Sequence, residues 1–369
     1  MSEFLEHRYL RIIRGDARGF GPTLLRATLA LLEPGYGWGV ALRNFVFDHG
    51  LRKIHHLPRP VISVGNLTTG GTGKTPVVQW LSARLRQEVH APVGILIRGY
   101  RSSDGMSDEA TLLATDAART APVVCAGADR VASGLRMLRE HPSIAVVVMD
   151  DGFQHRRLHR DFDLVLINCS NPFGYGRLIP RGLLREPLRA LRRADAVLLT
   201  HVNRVPLETC ASLRQRIRAF CDAPVFACRH ELTRVEFQDR THPVGWLQGR
   251  RVVAFAGIGH PKGFRQCLLE AGAIVVGTRW FPDHHAYRRD DLREIQDLVR
   301  EKGAELAITT EKDFVKLHGF SEEECAQVAC APMAIRFENS DESALLARIL
   351  ARIRPQARGE DRKRPHGGG

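Results

Sequence analysis

A glycine-rich stretch near residue 70 contains the residue types that bind the phosphates of a nucleotide. The segment VISVGNLTTGGTGKTP places an apolar run before Thr68, Thr69, Gly70, Gly71, Thr72, Gly73, Lys74 and Thr75. Glycines let backbone N–H groups turn toward phosphate oxygens, a lysine can reach the outer phosphates, and a threonine hydroxyl can bind Mg²⁺. The strict G-x-x-x-x-G-K-[ST] pattern has a glycine where this chain has Thr68. The sequence therefore predicts a variant phosphate-binding loop.

Two adjacent carboxylates follow another apolar run. In IAVVVMDDGFQH, Asp150 and Asp151 come directly after a predicted buried strand. Because the carboxyl ends of parallel strands meet at one edge of a sheet, both side chains are expected beside the phosphate loop. There one of them would hold Mg²⁺, directly or through water. An isolated Asp-Asp pair can also be a helix cap or a turn, but the neighbouring loop favours a metal site.

Transfer of a phosphoryl group to an alcohol also needs a residue that orients or deprotonates the hydroxyl. In RGYRSSDGMSDEA, Asp108 and Glu109 stand at a predicted helix start, where Ser107 can make them a capping arrangement instead. In WFPDHHAY, His284 and His285 are further candidates, although adjacent histidines are more often structural or surface residues. The residues alone leave both assignments open.

Apolar runs that alternate with helical patterns are expected to position these residues. Five runs predict buried parallel strands, and segments between them predict helices. The strands are at 61–64, 93–97, 144–149, 164–167 and 196–200, and the helices at 75–87, 107–118 and 129–140. This alternation indicates an α/β fold with a doubly wound sheet of the P-loop NTPase type.

A second series of βα elements begins at residue 250, after a segment that alternates apolar and polar residues. The sequence therefore predicts a smaller second α/β domain beyond an extended linker. The expected divisions are an amphipathic helical region at 1–59, the phosphate-loop domain at 60–225, a linker at 226–248, the second domain at 249–353 and a basic, disordered tail at 354–369.

The charge balance indicates an anionic partner. The 369 residues carry a formal net charge of +13, mostly through arginine, which suits nucleic acid, a membrane surface or a phosphorylated substrate. The eight cysteines show no C-x-x-C pair, and at this length they favour a reducing cytosol over a disulfide framework. The first 20 residues are charged throughout and show no signal-peptide core.

The segment from residue 21 to residue 56 has the composition of helices that lie in a membrane interface. It mixes leucines, Trp38 and Phe45 with arginines and a lysine. A pair of amphipathic helices packed on the body of the protein explains the same pattern. No apolar run reaches the roughly 20 residues of a spanning helix. The composition leaves both readings open.

Eight motifs occur in the order that is typical of one enzyme family. They are VISVGNLTTGGTGKTP, RGY, SDEA, MDDGFQHRRL, NPFGYGRLIPRGLLREP, AGIGHPKGF, FPDHHAY and TTEKDFVKL. Together they make residues 20–350 similar to the tetraacyldisaccharide 4'-kinases, the lipid A kinases of Gram-negative bacteria. The DDGFQH and FPDHH blocks are more specific to that family than the phosphate loop is.

The resemblance implies a monotopic enzyme on the cytoplasmic face of the inner membrane, with anionic lipids around it. Its two α/β/α domains would be joined by a two-stranded ribbon. It would transfer the γ-phosphate of ATP, with Mg²⁺, to the 4'-hydroxyl of tetraacyldisaccharide 1-phosphate and form lipid IVA. On that basis the amphipathic N-terminal segment meets the membrane with its cationic face toward anionic headgroups.

The resemblance also implies roles for individual residues. Lys74 and Thr75 would hold the nucleotide and Mg²⁺, and Asp108 would act as the catalytic base with His284 as its partner, His285 being the alternative. The remaining assignments are Glu109, Asp150 and Asp151 around Mg²⁺, Gln154 and His155 lining the site, and Arg181 and Arg185 at the 1-phosphate or acyl chains of the acceptor. Which of these three carboxylates bind Mg²⁺ directly stays open.

Two other classes of protein remain as alternatives. A nucleotide-driven switch would use the same loop to hydrolyse ATP or GTP without a small acceptor. The segment after AVLLT continues HVNR and lacks the guanine-reading N-K-x-D signature, which favours ATP. A nucleic-acid-binding protein would explain the charge, but no basic helix with base-reading residues and no RNP-type motif is present. No nucleic-acid partner is therefore expected.

Overall fold

The computed structural model describes residues 2–70, 72–98, 122–258, 261–282, 285–317 and 319–353. The predicted helix at 107–118 and the predicted tail at 354–369 lie outside the described residues. The same holds for four of the candidate site residues, namely Gly71, Asp108, Glu109 and His284.

Strands and helices alternate along most of the described chain. In chain order, β1–β14 are Val61–Asn66, Val93–Ile97, Val123–Ala126, Val146–Asp150, Phe162–Asn168, Ala196–Thr200, Val225–Leu232, Val235–Phe237, Arg240–His242, Arg251–Ala256, Ile274–Trp280, Leu306–Thr309, Val328–Cys330 and Met333–Phe337. Helices α1–α10 are Ser2–Arg14, Phe20–Asp48, Lys74–Val89, Arg130–Glu140, Leu207–Arg218, Pro261–Glu270, Arg289–Glu301, Glu311–Phe314, Glu322–Cys325 and Asp341–Ile353.

The first sheet has eight strands in the order β14-β7-β6-β5-β1-β4-β2-β3. All neighbours are parallel except β14, which runs antiparallel to β7. Every residue of β1, β4 and β5 is buried, because α3 and α10 cover one face of the sheet and α4 and α5 cover the other. The predicted doubly wound α/β sheet is confirmed. All five predicted strands are present, with two of them, 93–97 and 196–200, matching at both ends.

The second sheet has six strands in the order β11-β10-β12-β13-β8-β9. Its first four strands are parallel, and the hairpin of β8 and β9 adds to β13 in the antiparallel sense. The core on one face includes α6 residues, and the core on the other includes α7 residues. This layer arrangement is the smaller α/β unit that the second series of βα elements predicts.

The chain crosses between the two sheets twice, side by side. The crossings are β7 to β8 and β13 to β14, and the N–H of Thr233 donates to the carbonyl oxygen of Pro332 at 3.0 Å between them. After the second crossing, β14 pairs with β7 and α10 packs Leu345, Ile349 and Ile353 into the core of the first sheet. The predicted boundaries stay predictions, but these last two elements, which were expected in the second domain, pack on the first sheet.

The long helix α2 contacts the first domain mainly through polar groups. Only Val40 and Phe47 of its residues are buried. The Glu33 carboxylate accepts from the Leu178 N–H at 2.8 Å, and the Tyr36 hydroxyl donates to the Arg185 carbonyl oxygen at 3.0 Å. No helix in the described part of the chain is long and apolar enough to cross a membrane.

A close backbone contact fixes the turn after β4 against β1. A Cβ atom added at Gly65 would lie 2.6 Å from the Phe153 Cβ and 2.7 Å from its backbone nitrogen. The N–H of Gly152 donates to the Val64 carbonyl oxygen at 3.3 Å. Glycine at position 65 therefore lets the turn that carries Asp151 approach the end of β1.

We expect Gly65→Ala to lower the free energy of unfolding by about 1–3 kcal/mol, because the added methyl group overpacks a backbone contact. Chemical denaturation followed by circular dichroism measures the change. Gly39→Ala in α2 is the matched control, since a Cβ there meets no atom within 4 Å. That substitution should leave stability unchanged or slightly raised, because alanine favours helix. A Gly65→Ala protein as stable as the parent would contradict this account.

Candidate functional site

A cleft of about 450 Å³ lies between the two sheets at their carboxyl edges. The first domain contributes Thr68, Thr69, Gly70, Thr72, Gly73, Lys74, Thr75, Pro76, Gln79, Arg98, Arg130, Asp150, Asp151, Arg185, His201, Arg204 and His230, and the rest of the chain contributes Ile258, Gly263, Phe264, Thr310, Glu311, Lys312 and Met333. Ligands of open α/β sheets bind at such an edge. The predicted phosphate loop and the Asp150–Asp151 pair therefore lie in the same cleft.

The phosphate loop is held in shape from two sides. Gly70 and Gly73 have φ angles of 103° and 78°, in the region that favours glycine, and Gly73 precedes the first residue of α3. The Thr69 N–H donates to the Leu183 carbonyl oxygen at 2.8 Å, and the Thr200 hydroxyl donates to the Thr72 carbonyl oxygen at 3.0 Å. The N–H groups at the start of α3 therefore face the cleft, where a helix N-terminus favours an anion.

Asn66, the last residue of β1, connects the loop to the charged side chains. It is fully buried, and its amide nitrogen donates to the Thr72 hydroxyl at 2.9 Å. Its Oδ1 accepts from Lys74 Nζ at 3.3 Å and from the Arg185 guanidinium. One side chain therefore orients a loop hydroxyl and two cations. Asn66 was not among the predicted site residues, although its place between the predicted strand and the loop is a signal for it.

Asp151 is the acidic centre of the cleft. Its two carboxylate oxygens accept from Arg185 Nη1 and Nη2 at 2.8 Å each, and Lys74 Nζ lies 3.4 Å from Oδ1. Burial would raise the pKa of this carboxyl, but the hydrogen bond from Arg185 and the charge of Lys74 outweigh it, so the pKa is lowered. Asp151 is thus an anion at neutral pH, and both cations are aimed at the same point.

Asp150 lies deeper, beside Arg130. The buried Arg130 guanidinium donates to the backbone carbonyl oxygens of Asp150 at 2.6 Å and Asp151 at 3.0 Å. Arg130 is the first residue of α4, so this contact holds the end of β4 against the start of that helix. Arg130 is a second residue that the sequence analysis did not select, because nothing in DRVAS distinguishes it from a surface arginine.

Gln154 and His155 lie outside the cleft wall that the described residues form. Gln154 Nε2 donates to the Asn66 carbonyl oxygen at 2.9 Å. Burial, followed by the positive charges of Arg130 and Arg157, lowers the pKa of His155 to about 4. His155 is therefore neutral at physiological pH, and Gln154 supports the end of β1 that leads into the loop.

Arg181 and Arg185 occupy different places. Arg185 lines the cleft. Arg181 Nη1 instead donates to the Ile13 carbonyl oxygen at 2.9 Å and thereby connects α1 to the segment before β6. Their expected place at the 1-phosphate or the acyl chains of the acceptor stays a prediction.

On the second domain, buried Asp313 holds three segments that end at the cleft. Its Oδ2 accepts from the Gly257 N–H at 3.0 Å and from the Thr310 hydroxyl at 2.8 Å, and Lys316 Nζ lies 3.3 Å from Oδ1. Lys316 also donates to the His285 carbonyl oxygen at 3.2 Å. The segment that carries the second of the two candidate histidines is thereby fixed to the strand ends of the second sheet.

The ring of His285 is already engaged within its own domain. Its Nε2 lies 2.9 Å from Asp291 Oδ2, and the Phe281 ring stacks on it at 4.6 Å between centroids. Burial, with the charge of Asp313, raises the pKa of the neighbouring Tyr287 well above its usual range. These contacts fix the position of the His285 ring, and the choice between His284 and His285 stays a prediction.

The donor set at the first-domain end of the cleft suits Mg²⁺. Thr75, Asp150 and Asp151 offer hydroxyl and carboxylate oxygens, and Mg²⁺ in phosphoryl-transfer sites is bound by one or two carboxylates together with substrate phosphates. Within the described ranges no group of three or more histidine, cysteine, aspartate or glutamate side chains is arranged to hold a metal ion. The residues present thus fit a metal that the nucleotide helps to hold.

Comparisons with known proteins identify the family to which the chain is similar. The family model LpxK, tetraacyldisaccharide-1-P 4'-kinase, matches residues 25–354. Tetraacyldisaccharide 4'-kinase of Syntrophus aciditrophicus is 40% identical over 333 residues, which are 80% of this chain and 87% of that protein. The enzyme of the same name from Chlorobaculum tepidum is 34% identical over 88% of this chain and 97% of its own length.

A solved structure is similar as well. The crystal structure of LpxK from Aquifex aeolicus in complex with ATP matches with a TM-score of 0.67 and 32% identity, over 89% of this chain and 99% of that chain. The family model spans most of the sequence, and the phosphate loop, the Asp150–Asp151 pair and Arg185, which it covers, meet in one cleft in the structure. The chain belongs to the tetraacyldisaccharide-1-P 4'-kinase family.

Proposed function

We propose that this chain transfers the γ-phosphate of ATP to the 4'-hydroxyl of tetraacyldisaccharide 1-phosphate and so forms lipid IVA in lipid A biosynthesis. The observation that carries the proposal is the cluster of Lys74, Arg185 and Asp151 beside a phosphate loop, in a chain of this kinase family. A relative's structure in complex with ATP supports the same donor here.

The phosphate loop binds the nucleotide in this proposal. The N–H groups at the start of α3 and the Lys74 ammonium bind the phosphate oxygens, and Thr75 with one or both of Asp150 and Asp151 holds Mg²⁺. When bound, the ion neutralises charge on the outer phosphate oxygens and aligns them. A phosphoryl-transfer transition state needs mainly positioning and positive charge, and Lys74, Arg130 and Arg185 supply that charge at one end of the cleft.

The acceptor hydroxyl needs a group that orients it or removes its proton. We assign this role to Asp108, with His284 as its partner and Glu109 as a further metal ligand, on the basis of the family motifs. His285 is the weaker candidate, because its ring is held by Asp291 and Phe281. Gln154 acts indirectly, since it donates a hydrogen bond to the backbone of Asn66 at the start of the loop.

We place the enzyme on the cytoplasmic face of the inner membrane, where its lipid acceptor is embedded. The exposed side of α2 carries large apolar residues, with Leu31 81% and Trp38 80% exposed. The arginine-rich segment 187–193 and α2 line a common groove, so cationic and apolar groups lie side by side, as anionic lipid surfaces require. Because Tyr36 of α2 bonds to the Arg185 backbone, the lipid-facing helix adjoins the phosphate-transfer end of the cleft.

A nucleotide-driven switch is the second candidate, because it shares the phosphate loop. It would release phosphate without needing a lipid, whereas the proposed kinase transfers it. The charge of +13 is accounted for by phosphate and membrane contacts, so a nucleic-acid partner is not proposed.

We expect labelled γ-phosphate of ATP to move into tetraacyldisaccharide 1-phosphate in detergent micelles with Mg²⁺. Lys74→Ala should lower the rate on the order of 100-fold or more, because it removes a preorganised positive charge from the transferring phosphoryl group. Asp108→Ala should abolish transfer while nucleotide binding persists. Phosphate released at equal rates with and without lipid would instead identify a nucleotide-driven switch.

Asn66→Ala should lower kcat/KM for ATP roughly 10- to 100-fold, since Lys74 and the Thr72 hydroxyl lose a buried hydrogen-bond partner. Both KM and kcat should change, because the amide orients loop and cation together. Steady-state kinetics at saturating lipid measures the effect. Asn171→Ala, in the turn after β5, is the control of the same residue type. Unchanged kinetics for Asn66→Ala would show that the loop keeps its shape without the amide.

Replacing both Leu31 and Trp38 with glutamine should weaken binding to vesicles of anionic phospholipid by about tenfold or more, because each loses apolar area that the interface would bury. Cosedimentation measures the binding. Leu207→Gln is the matched control, as Leu207 of α5 is 83% exposed and does not line the groove along α2. Equal vesicle binding by the double variant and the parent would argue against α2 as the lipid-facing element.

A further inference from the structure

The first helix, α1, is fastened to the segment that joins β5 to β6. The Tyr9 hydroxyl donates to the Pro180 carbonyl oxygen at 2.7 Å. In the opposite direction, Arg181 Nη1 donates to the Ile13 carbonyl oxygen at 2.9 Å, and Ile13 itself is buried. Hydrogen bonds between side chains and backbone, given in both directions, therefore hold the helix on this segment.

The fastened segment contains a residue with a strained backbone. Tyr175 has a φ angle of 65° and a ψ angle of 18°, in the left-handed region that residues other than glycine rarely adopt. Arg14, the last residue of α1, donates from Nε to the Tyr175 hydroxyl, and its guanidinium carbon lies 5.5 Å from the centre of the ring. A backbone of this kind persists only where its surroundings hold it, and α1 supplies such a contact.

The same segment folds back onto the phosphate loop. The Leu183 N–H donates to the Gly174 carbonyl oxygen at 2.9 Å, which closes the turn that contains Tyr175. The Leu183 carbonyl oxygen then accepts from the Thr69 N–H at 2.8 Å, and the Arg185 N–H donates to the Leu67 carbonyl oxygen at 2.7 Å. The turn that α1 fastens is thus connected by hydrogen bonds to the start of the phosphate loop.

We propose that Tyr9 and Arg14 are positioning residues for nucleotide binding. They hold the turn at residues 174–181 in the conformation that presents Arg185 to the cleft and pairs with the phosphate loop. All of α1 precedes residue 25, where the family match begins, so that match assigns the helix no role. This positioning role rests on the proposed function only for the choice of ATP as the ligand.

The positioning role predicts a characteristic change in the kinetics. Without the two contacts, the strained turn leaves its conformation in a fraction of the molecules. A ligand that needs the competent conformation then binds more weakly in proportion to the fraction that keeps it. Once bound, the phosphates hold the loop, so the bound complex reacts at the parent's rate. The KM for ATP therefore rises while kcat stays the same.

The test compares the full chain carrying Tyr9→Phe and Arg14→Ala with the parent, in detergent with Mg²⁺. By calorimetry, the double variant should bind ATP about tenfold more weakly, the combined effect of two lost hydrogen bonds. It should bind inorganic tripolyphosphate more weakly by the same factor, because the turn supports the phosphate loop. At saturating lipid, the KM for ATP should rise about tenfold and kcat should stay within about twofold. Tyr9→Phe alone removes one oxygen atom and should give about a threefold weakening.

Arg11→Ala is the matched control, because Arg11 is exposed on the same helix and its loss removes the same charge. It should bind both probes as the parent does. Equal weakening by Arg11→Ala would assign the effect to charge and overturn the proposal. A lower melting temperature of the double variant with unchanged affinities would also overturn it, since α1 would then only support the fold.

Weaker binding of ATP with unchanged binding of tripolyphosphate would place the effect away from the phosphate loop and contradict the proposal as well. The calorimetric comparison does not depend on the lipid acceptor. If the double variant binds both probes more weakly than the parent, but the parent transfers no phosphate to the lipid, the proposed function fails while the positioning role stands.

Discussion

The site depends on how closely the turn after β4 approaches the end of β1. Because residue 65 has no side chain, the Phe153 backbone lies where a Cβ atom would otherwise be, and the Gly152 N–H bonds to β1. This approach places Asp151 close to Asn66 of β1 and Lys74 of α3. Arg130 fixes the turn from α4, and Arg185 fixes it from the segment before β6. One backbone contact thus allows four separate elements to place their charges together.

The cluster is arranged for binding rather than for stability. Asp151 pairs with two cations in a half-buried place, where the cost of desolvation offsets much of the attraction. A phosphate that enters must compete with Asp151 for Lys74 and Arg185, so a metal that takes up the carboxylate would release both cations toward the phosphate. The same region is connected to α2, since fully buried Glu186 pairs with Arg43 of that helix and with Arg193. The helix with the exposed apolar side is therefore attached one residue from Arg185.

The sequence alone predicts the parts of this arrangement that local pattern determines. The apolar runs at 93–97 and 196–200, the glycines of the loop and the Asp-Asp pair all have signatures within a few residues. Asn66 has only its place between the strand and the loop as a signal, and Arg130 has none, because its role arises from a contact with the turn after β4. The return of β14 to β7 was missed for the same reason, since MAIRF has no feature that selects its partner sheet. Arg181 and Arg185 share one motif but face different elements, which spacing alone does not reveal.

The way in which the chain joins its two domains makes the cleft sensitive to their relative position. His230 lies in β7 and Met333 begins β14, so both crossing strands contribute cleft residues, and these strands pair beside the crossing with Met333 next to Leu232. Of the other second-domain residues of the cleft, Ile258 follows Gly257, and Thr310, Glu311 and Lys312 precede Asp313, so the hydrogen bonds of Asp313 connect these two segments. A small rotation at the crossing would therefore bring Thr310, Glu311 and Lys312 toward the phosphate loop as a unit. Closure of this kind excludes water from the phosphates, which a kinase needs if transfer to an alcohol is to outcompete hydrolysis.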